Sequence, residues 1–469
     1  MTLPRPLWTG PEVAAATGGT LHGDFVADGV TFDSREVIGG ELFVALKGET
    51  TDGHRFLDAA RSRGAAGLLV SEDTQGPHVR VADTMAALRA LAAAARDRSA
   101  ALRIGVTGSV GKTGTKEALA LALGRHAPQR VHASVKSYNN HTGVPLSLSR
   151  MPANSRYGIF EMGMNHAGEL TDLSALVQPD IAIITWVASA HRQFFDSEAD
   201  IAHAKAEIFS GLKPGGIAIW PFDNPHHDIL RTAAQATGRA VSFGFDPAAD
   251  VHAETFTLHP DFSEVTARIG NERLGYRIGM AGRHWVSNSL AVLAAVHAAG
   301  ADLAQAGLAL AELSDLPGRG KRLRVRAGHG EAVVIDESYN ANPASMAASL
   351  AVLRDIRPAG AGRRLALLGD MRELGEQAAQ FHAGLAPYVE AAGLEALILV
   401  GNDMKALASA LGDALHVELV ADAAAALGVT NQLLHADDVL LIKGSNSLRL
   451  GDVVTALAAR RPDHQETGS

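Results

Sequence analysis

The sequence predicts an α/β protein of three domains, on three observations. Apolar strand-like runs alternate with Ala-rich helical runs, as in parallel sheets covered on both faces. A Gly/Pro stretch at 316–322, "LPGRGKR", interrupts the alternation, which then restarts. The chain has 469 residues, room for about three domains at roughly 150 residues each.

Residues 1–84 read as a small α/β domain: strand-like "GVTFDSR", "ELFVAL" and "AAGLLV" surround helical "FLDAARSRG". The helix "MAALRALAAAARDRSAAL" leads into a middle section, 85–315. There "LRIGV", "YGIFEM", "IAIITWV" and "GIAIW" are buried-strand patterns, so a mostly parallel sheet is expected. In the third section, 316–461, the strands "AVVID", "RLALLGD", "EALILVG", "HVELV" and "DVLLIKG" are each followed by a helical stretch. That pattern is a doubly wound, Rossmann-like sheet. It lacks G-x-G-x-x-G after its first strand, so dinucleotide binding does not follow from the fold. Residues 462–469 read as a disordered tail.

Composition narrows the function. Lys plus Arg total 42 against 51 Asp plus Glu, a net charge of −9, which argues against general binding to nucleic-acid backbones. With no cysteine, disulfides, thiol catalysis and Cys-based zinc sites are excluded. No apolar run reaches the roughly 18 residues of a membrane span. The Pro-broken N-terminus lacks a signal-peptide core, so a cytoplasmic protein is expected. Nothing demands more than a monomer.

The segment 104–119, "IGVTGSVGKTGTKEAL", carries the strongest motif. A strand runs into a Gly-rich turn that opens a helix, and the unpaired N–H groups and helix dipole there favour phosphates. The turn comprises Thr107, Gly108, Ser109, Val110, Gly111, Lys112, Thr113 and Gly114. Lys112 is expected on the β/γ-phosphates of ATP and the Thr113 hydroxyl on Mg²⁺. Only two residues separate Gly108 from Gly111, where the usual phosphate loop has four.

Three further side chains have two readings each. Glu161 ends the strand "YGIFE", at the edge where parallel sheets bind ligands, and is either a magnesium ligand or a solvated strand end. His191 ends "IAIITWVASAH" and is either a metal or substrate contact or a packing residue. Lys205 shares one helical stripe with Ile201 and Ile208. It either snorkels to solvent or is desolvated into a reactive neutral amine.

The short T-G-x-x-G-K-T loop resembles that of the Mur ligase superfamily, which joins a carboxylate to an amine at the expense of ATP. The resemblance extends along nearly the whole chain. "FDSREVIGGELFVALKGETTDGHRF" is similar to the family's uracil-nucleotide pocket, implicating Asp33, Ser34, Arg35, Asp52, Gly53 and His54. "SYNNHTGVPLSL" implies substrate or phosphate contacts for Asn139 and Asn140; "EMGMNHAGEL" supports Glu161, with Asn165 and His166 nearby. "AKAEIFSGL" implies a CO₂-derived carbamate on Lys205, an anionic ligand that would share a second Mg²⁺ with His191. "AGRHWVSNSLAVLAA" resembles the adenine-binding helix; Trp285 replaces the first Asn of the usual H-N-x-x-N and Asn288 remains. Arg319 matches a linker arginine on the ATP phosphates, and "DESYNANPASM" places Asp336, Tyr339, Asn340 and Asn342 near ATP and the reacting groups. "RQFFDS", after His191, and "KGSNS" depart from the commoner patterns.

Within the superfamily, these strings resemble most the branch whose substrates are UDP-N-acetylmuramoyl-tripeptide and D-alanyl-D-alanine. That branch forms an acyl phosphate and then a peptide bond. The neighbouring branch adds one amino acid to the dipeptide and carries D-N-P-R in its last domain; here "DNPHH" lies at 223–227, in the middle section. A folylpolyglutamate-type ligase has no need of a UDP pocket. The alternative outside the class is a phosphate-loop kinase or nucleotide switch, which needs neither a carboxylate nor an amine for ATP turnover.

Overall fold

Leu102–Thr107 (LRIGVT) is buried along nearly its whole length in the computed structural model of the chain. A strand enclosed on both faces belongs inside a parallel sheet. It runs parallel to its two neighbours, Tyr157–Glu161 and Ile181–Ile184, in a nine-stranded sheet. From one edge the order is Val131–Ala133, Tyr157–Glu161, Leu102–Thr107, Ile181–Ile184, Ile217–Pro221, Ala240–Gly244, Val251–Leu258, Ser263–Ile269 and Glu272–Ile278. The register pairs Glu161 with Val106 and Ile184 with Thr107, so three strands end level at their carboxyl edge. The structure describes residues 6–48, 51–190, 192–314 and 316–459.

Successive strand residues point to opposite faces. Ile159, Ile181 and Ile183 meet helices Lys112–His126, Arg283–Ala298 and Leu303–Ala311, whereas Phe160, Ala182 and Ile184 meet Glu169–Val177 and Glu198–Ala206. Arg283–Ala298 is buried almost all round, as a core helix must be. Full burial of each large apolar side chain contributes about 1.5–3 kcal/mol.

The N-terminal sheet has five strands, ordered Thr20–His22, His78–Arg80, Gly67–Val70, Glu41–Val44 and Gly29–Thr31. Helix Thr84–Asp97 does more than lead onward. Its Ala87, Leu88 and Leu91 complete the N-terminal core while Ala92 enters the middle one. Trp8 adds a second tie: its Nε1 donates to Ser149 O at 2.9 Å and Arg98 stacks on its indole at 3.7 Å.

The third sheet has six strands: Lys321–Ala327, Gly330–Glu337, Val439–Lys443, Arg364–Gly369, Ala396–Val400 and Val417–Val420. All pairings are parallel except the first. The architecture is α/β, as expected, and among the described residues a two-stranded antiparallel pair, Trp8–Thr9 with Val26–Ala27, accompanies the three main sheets.

The middle sheet is mostly parallel, as expected, and two features were not foreseen. The middle sheet ends in antiparallel strands, Val251–Leu258, Ser263–Ile269 and Glu272–Ile278, the last two joined through Gly270 and Asn271. Their apolar residues alternate with polar ones, so no continuous apolar run announces them. The interdomain stretch also leads straight into an edge strand, Lys321–Ala327, whose basic residues mask its alternation. Among the described residues no helix is long and apolar enough to cross a membrane. The tail expected at 462–469 lies outside the described residues.

Candidate active site

The phosphate loop turns between strand Leu102–Thr107 and helix Lys112–His126. Gly111 is the N-cap, at φ 85° and ψ −12°, and no side chain caps the helix. The first-turn N–H groups are therefore available to an anion. Ser109 N donates to Trp186 O at 2.7 Å, and Thr185 Oγ1 donates to Val110 O at 2.5 Å, so the neighbouring strand's exit loop grips the turn. Thr107 Oγ1 is buried without a partner. Lys112 Nζ folds back onto Gly108 O at 2.6 Å. Desolvation lowers the pKa of this ammonium, with nearby Glu161 opposing.

Glu161 is 1% exposed, and both of its oxygens are engaged. Oε2 accepts from Thr113 Oγ1 at 2.6 Å and Oε1 from Asn139 Nδ2 at 2.7 Å. The solvated-strand-end reading is thereby excluded. A hydroxyl and a carboxylate at this spacing, beside a phosphate loop, are the hard oxygen donors that magnesium takes. Lys205 is likewise 1% exposed, so it does not snorkel. Burial first, then repulsion from Lys112, holds its pKa well below the usual lysine range. His191 lies outside the described residues. Asn165 and His166 sit at the exposed mouth, tied to Glu169 by Asn165 N at 2.9 Å and His166 Nδ1 at 3.0 Å.

The third domain reaches this site. Arg319 Nη2 lies 3.4 Å from Ser137 Oγ and its guanidinium stacks 4.2 Å from the Tyr339 ring. Asn342 caps helix Pro343–Asp355 and its Nδ2 donates to Ser109 O at 3.4 Å. Asp336 and Asn340 are placed differently. The Asp336 carboxylate accepts from Gly318 N at 2.8 Å and from Ser338, so it holds the interdomain turn. Asn340 Oδ1 accepts from Ala341 N, and its carbonyl accepts from Lys443 Nζ at 3.0 Å.

A cavity of about 150 Å³ opens between the start of helix Arg283–Ala298 and the third sheet. His284, Trp285, Arg322, Glu337 and Ser349 are among its walls. Asn288 is not: its amide packs on the phosphate loop, 2.6 Å from where a Gly111 Cβ would stand. Trp285 similarly fills the space over Gly114, its ring 2.7 Å from the position of a Cβ there.

In the N-terminal domain, Asp33 caps the turn Ser34–Glu36 and binds Arg35 through Nε at 2.9 Å and Nη2 at 2.7 Å. The D-S-R string thus forms a salt-bridged turn. Asp52 caps Gly53–Phe56, accepting from His54 N at 2.9 Å and lying 2.7 Å from His54 Nδ1. His54 Nε2 accepts from Ser71 N at 3.0 Å, which fixes the ring. Helix Leu57–Ser62 packs against both turns. Asn140 Oδ1 accepts from Gly143 N at 2.9 Å and so shapes the start of helix Gly143–Ser149.

Sequence reasoning missed several residues. Lys116 is fully buried under the loop after Val131–Ala133, and Lys443 is buried at a strand end beside Glu337 at 3.4 Å. A lysine in an Ala-rich helix reads as surface, so Lys116 carried no signal. Lys443 carried one: a charge ending an apolar parallel strand.

Models of the Mur ligase family match at residues 27–103 (catalytic domain), 106–296 (middle domain) and 321–446 (glutamate ligase domain). The chain belongs to the Mur ligase family. It is 36% identical over 447 residues to the UDP-N-acetylmuramoyl-tripeptide–D-alanyl-D-alanine ligase of Escherichia coli (strain K12), covering 94% of this chain and 96% of that one. MurF from Acinetobacter baumannii superimposes with a TM-score of 0.82 at 29% identity, covering 96% and 99% of the two chains. MurF ligase from Thermotoga maritima in complex with ADP gives 0.76 at 25% identity, covering 92% and 97%.

Proposed function

We propose that this chain is the ATP-dependent ligase that joins D-alanyl-D-alanine to UDP-N-acetylmuramoyl-tripeptide in the cytoplasm, releasing ADP and phosphate. The near full-length likeness to ligases of that name supports the substrate pair. The observation that carries the chemistry is the Thr113–Glu161 donor pair beside Lys112, with the third domain closed upon it through Asn342 and Arg319.

In this reading residues 1–84 take the UDP-linked acceptor, 85–315 take ATP, and 316–461 close the site. The Asp33–Arg35 and Asp52–His54 turns receive the UDP end, and the cavity beside His284 and Trp285 takes the adenosine. The acceptor's terminal carboxylate attacks the γ-phosphorus, the bond to the bridging oxygen breaks, and ADP leaves with those electrons. The amine of the dipeptide then attacks the acyl carbon, loses a proton, and expels phosphate. Lys112 and the loop N–H groups stabilise charge on the transferring phosphoryl group. Thr113 and Glu161 would hold Mg²⁺, whose charge would offset the repulsion between the two anions. Asn139 keeps the Glu161 carboxylate turned toward the loop. Arg319, Tyr339 and Asn342 arrive with the third domain and exclude the water that would hydrolyse the acyl phosphate.

Burial leaves the Lys205 nitrogen able to react uncharged. It adds to CO₂, loses a proton and becomes a carbamate, an anionic oxygen donor that with His191 would hold a second Mg²⁺. Full activity of Lys205→Ala, without added CO₂ or short carboxylates, would eliminate this role.

The decisive experiment combines purified chain, ATP, Mg²⁺, UDP-N-acetylmuramoyl-tripeptide and D-alanyl-D-alanine, with products weighed by mass spectrometry. The expected product is the pentapeptide, with sustained phosphate release only when both acceptor and dipeptide are present. Hydroxylamine should trap the activated acid when the dipeptide is omitted. ATP turnover indifferent to both substrates would refute the proposal in favour of a nucleotide switch.

A further inference from the structure

Residues 134–139, just beyond the edge strand Val131–Ala133, run between the N-terminal domain and the phosphate loop, and their side chains alternate in destination. Lys136 and Tyr138 reach Glu36 in the N-terminal domain. Lys136 Nζ forms an ion pair with it, and the Tyr138 hydroxyl donates to it at 2.7 Å. Ser137 and Asn139 face the loop. Ser137 Oγ is 3.4 Å from Thr113 Oγ1 and 3.4 Å from Arg319 Nη2. Asn139 donates to Glu161 at 2.7 Å, and its carbonyl accepts from Gly163 N at 2.7 Å.

Lys116 fastens the backbone of this segment from below. Its buried ammonium donates to Ser134 O at 2.6 Å and Lys136 O at 3.1 Å, and pairs with Glu117 at 2.7 Å. Three donors thus meet three acceptors. Lys136 itself adopts φ 55°, a left-handed conformation that a lysine keeps only when its surroundings impose it. Glu36 also has neighbours at its other oxygen. Thr31 Oγ1 lies 3.3 Å and Arg150 Nη2 3.6 Å from its second oxygen. Glu36 is the residue that follows Arg35, so it belongs to the very turn assigned to the UDP end of the acceptor.

We propose that residues 134–139 form a strut through which Glu36 acts as a positioning residue for the Thr113–Glu161 donor pair. The turn that meets the first substrate is thereby coupled to magnesium–nucleotide binding at the phosphate loop. The inference rests on the assignment of that donor pair to magnesium. It adds that metal affinity is set partly from another domain, by a residue that touches neither metal nor nucleotide.

The test is calorimetric titration of the full chain with ADP, once with Mg²⁺ and once with EDTA. Glu36→Gln keeps the shape but removes the charge that holds Lys136 and Arg150. It should weaken Mg²⁺–ADP binding roughly two- to thirtyfold, the range for residues acting through others, and leave ADP in EDTA unchanged. Asn139→Ala should weaken Mg²⁺–ADP binding as well. The double variant should bind no more weakly than Asn139→Ala alone, because both act on one strut. Unaltered Mg²⁺–ADP affinity in Glu36→Gln, equal loss with and without metal, or losses that multiply in the double variant would each overturn the proposal. If the unmodified chain binds ADP equally with and without Mg²⁺, the metal assignment itself falls. Glu36 is a partly exposed loop residue, so its variant is expected to melt like the unmodified chain; Lys116→Met, which uncovers buried carbonyls, serves only as corroboration.

Discussion

Replacing Gly111 by Ala isolates what the phosphate loop's geometry is worth. Gly111 sits at φ 85° and ψ −12°, where an L-residue with a Cβ is strained by about 1–2 kcal/mol. The new methyl would also stand 2.6 Å from Asn288 Oδ1, forcing that amide out of its rotamer at about 0.5–1.5 kcal/mol. The sum is about 1.5–3.5 kcal/mol. If the loop relaxes to escape it, the cost transfers to binding, and ADP affinity falls roughly ten- to several-hundredfold at 1.4 kcal/mol per decade. If the loop holds, the cost appears as lost stability, with a melting temperature roughly 3–14 °C lower at 2–4 °C per kcal/mol. Gly18 supplies the control. It has φ 65° at a helix C-terminus, and nothing lies within 4 Å of its would-be Cβ. Gly18→Ala carries the backbone strain alone and should leave ADP affinity unchanged. Calorimetry and thermal denaturation on both variants decide the matter. A Gly111→Ala protein that binds ADP and melts like the unmodified chain would refute the reasoning.

Lys112→Met should lower the ligation rate several hundredfold, the effect of removing one electrostatic donor worth about 3–4 kcal/mol, as read by phosphate release. Gly114→Ala drives a methyl to 2.7 Å from the Trp285 ring, so overpacking of about 1–3 kcal/mol should outweigh any gain in helix propensity. Adding Trp285→Leu should recover part of that loss in urea denaturation, so the two effects are not additive. His132 has its pKa pushed by burial down to about 4, so the folded chain binds fewer protons than the unfolded chain between about pH 4 and 6.5. Stability should therefore rise with pH across that window, by roughly 3 kcal/mol at 1.36 kcal/mol per unit, and His132→Gln should flatten the rise.

The site was legible wherever its logic is local. Strand, glycines, Lys112 and helix occupy one contiguous stretch, and their chemistry needs no distant partner. Glu161 was legible because a strand end in a parallel sheet has a known destination. At Lys205 the i, i+4 spacing to Ile201 left snorkelling and desolvation both open, the resemblance favoured the reactive amine, and the fold shows the side chain buried. Contacts made over long sequence distances were not legible. The Lys136–Glu36 pair joins residues 100 apart, and nothing near either position announces the other. Lys116 is hidden for the same reason: its acceptors are main-chain carbonyls, which every residue has. Which way Asn288 leans, onto the phosphate loop, was not legible because helix position alone does not say it. The antiparallel strands escaped notice because alternating half-polar segments look like loops beside the apolar runs of the parallel strands.

The grip of Asp336 on the interdomain turn has a mechanical consequence. Its carboxylate holds Gly318 N and its carbonyl accepts Gly320 N at 2.8 Å, so Arg319 is clamped between two bonds to the third sheet. Any pivot must then lie upstream of Gly318. Under the proposed function the Arg319 guanidinium therefore moves with the third sheet as one body, and withdrawal of its charge accompanies release of spent nucleotide.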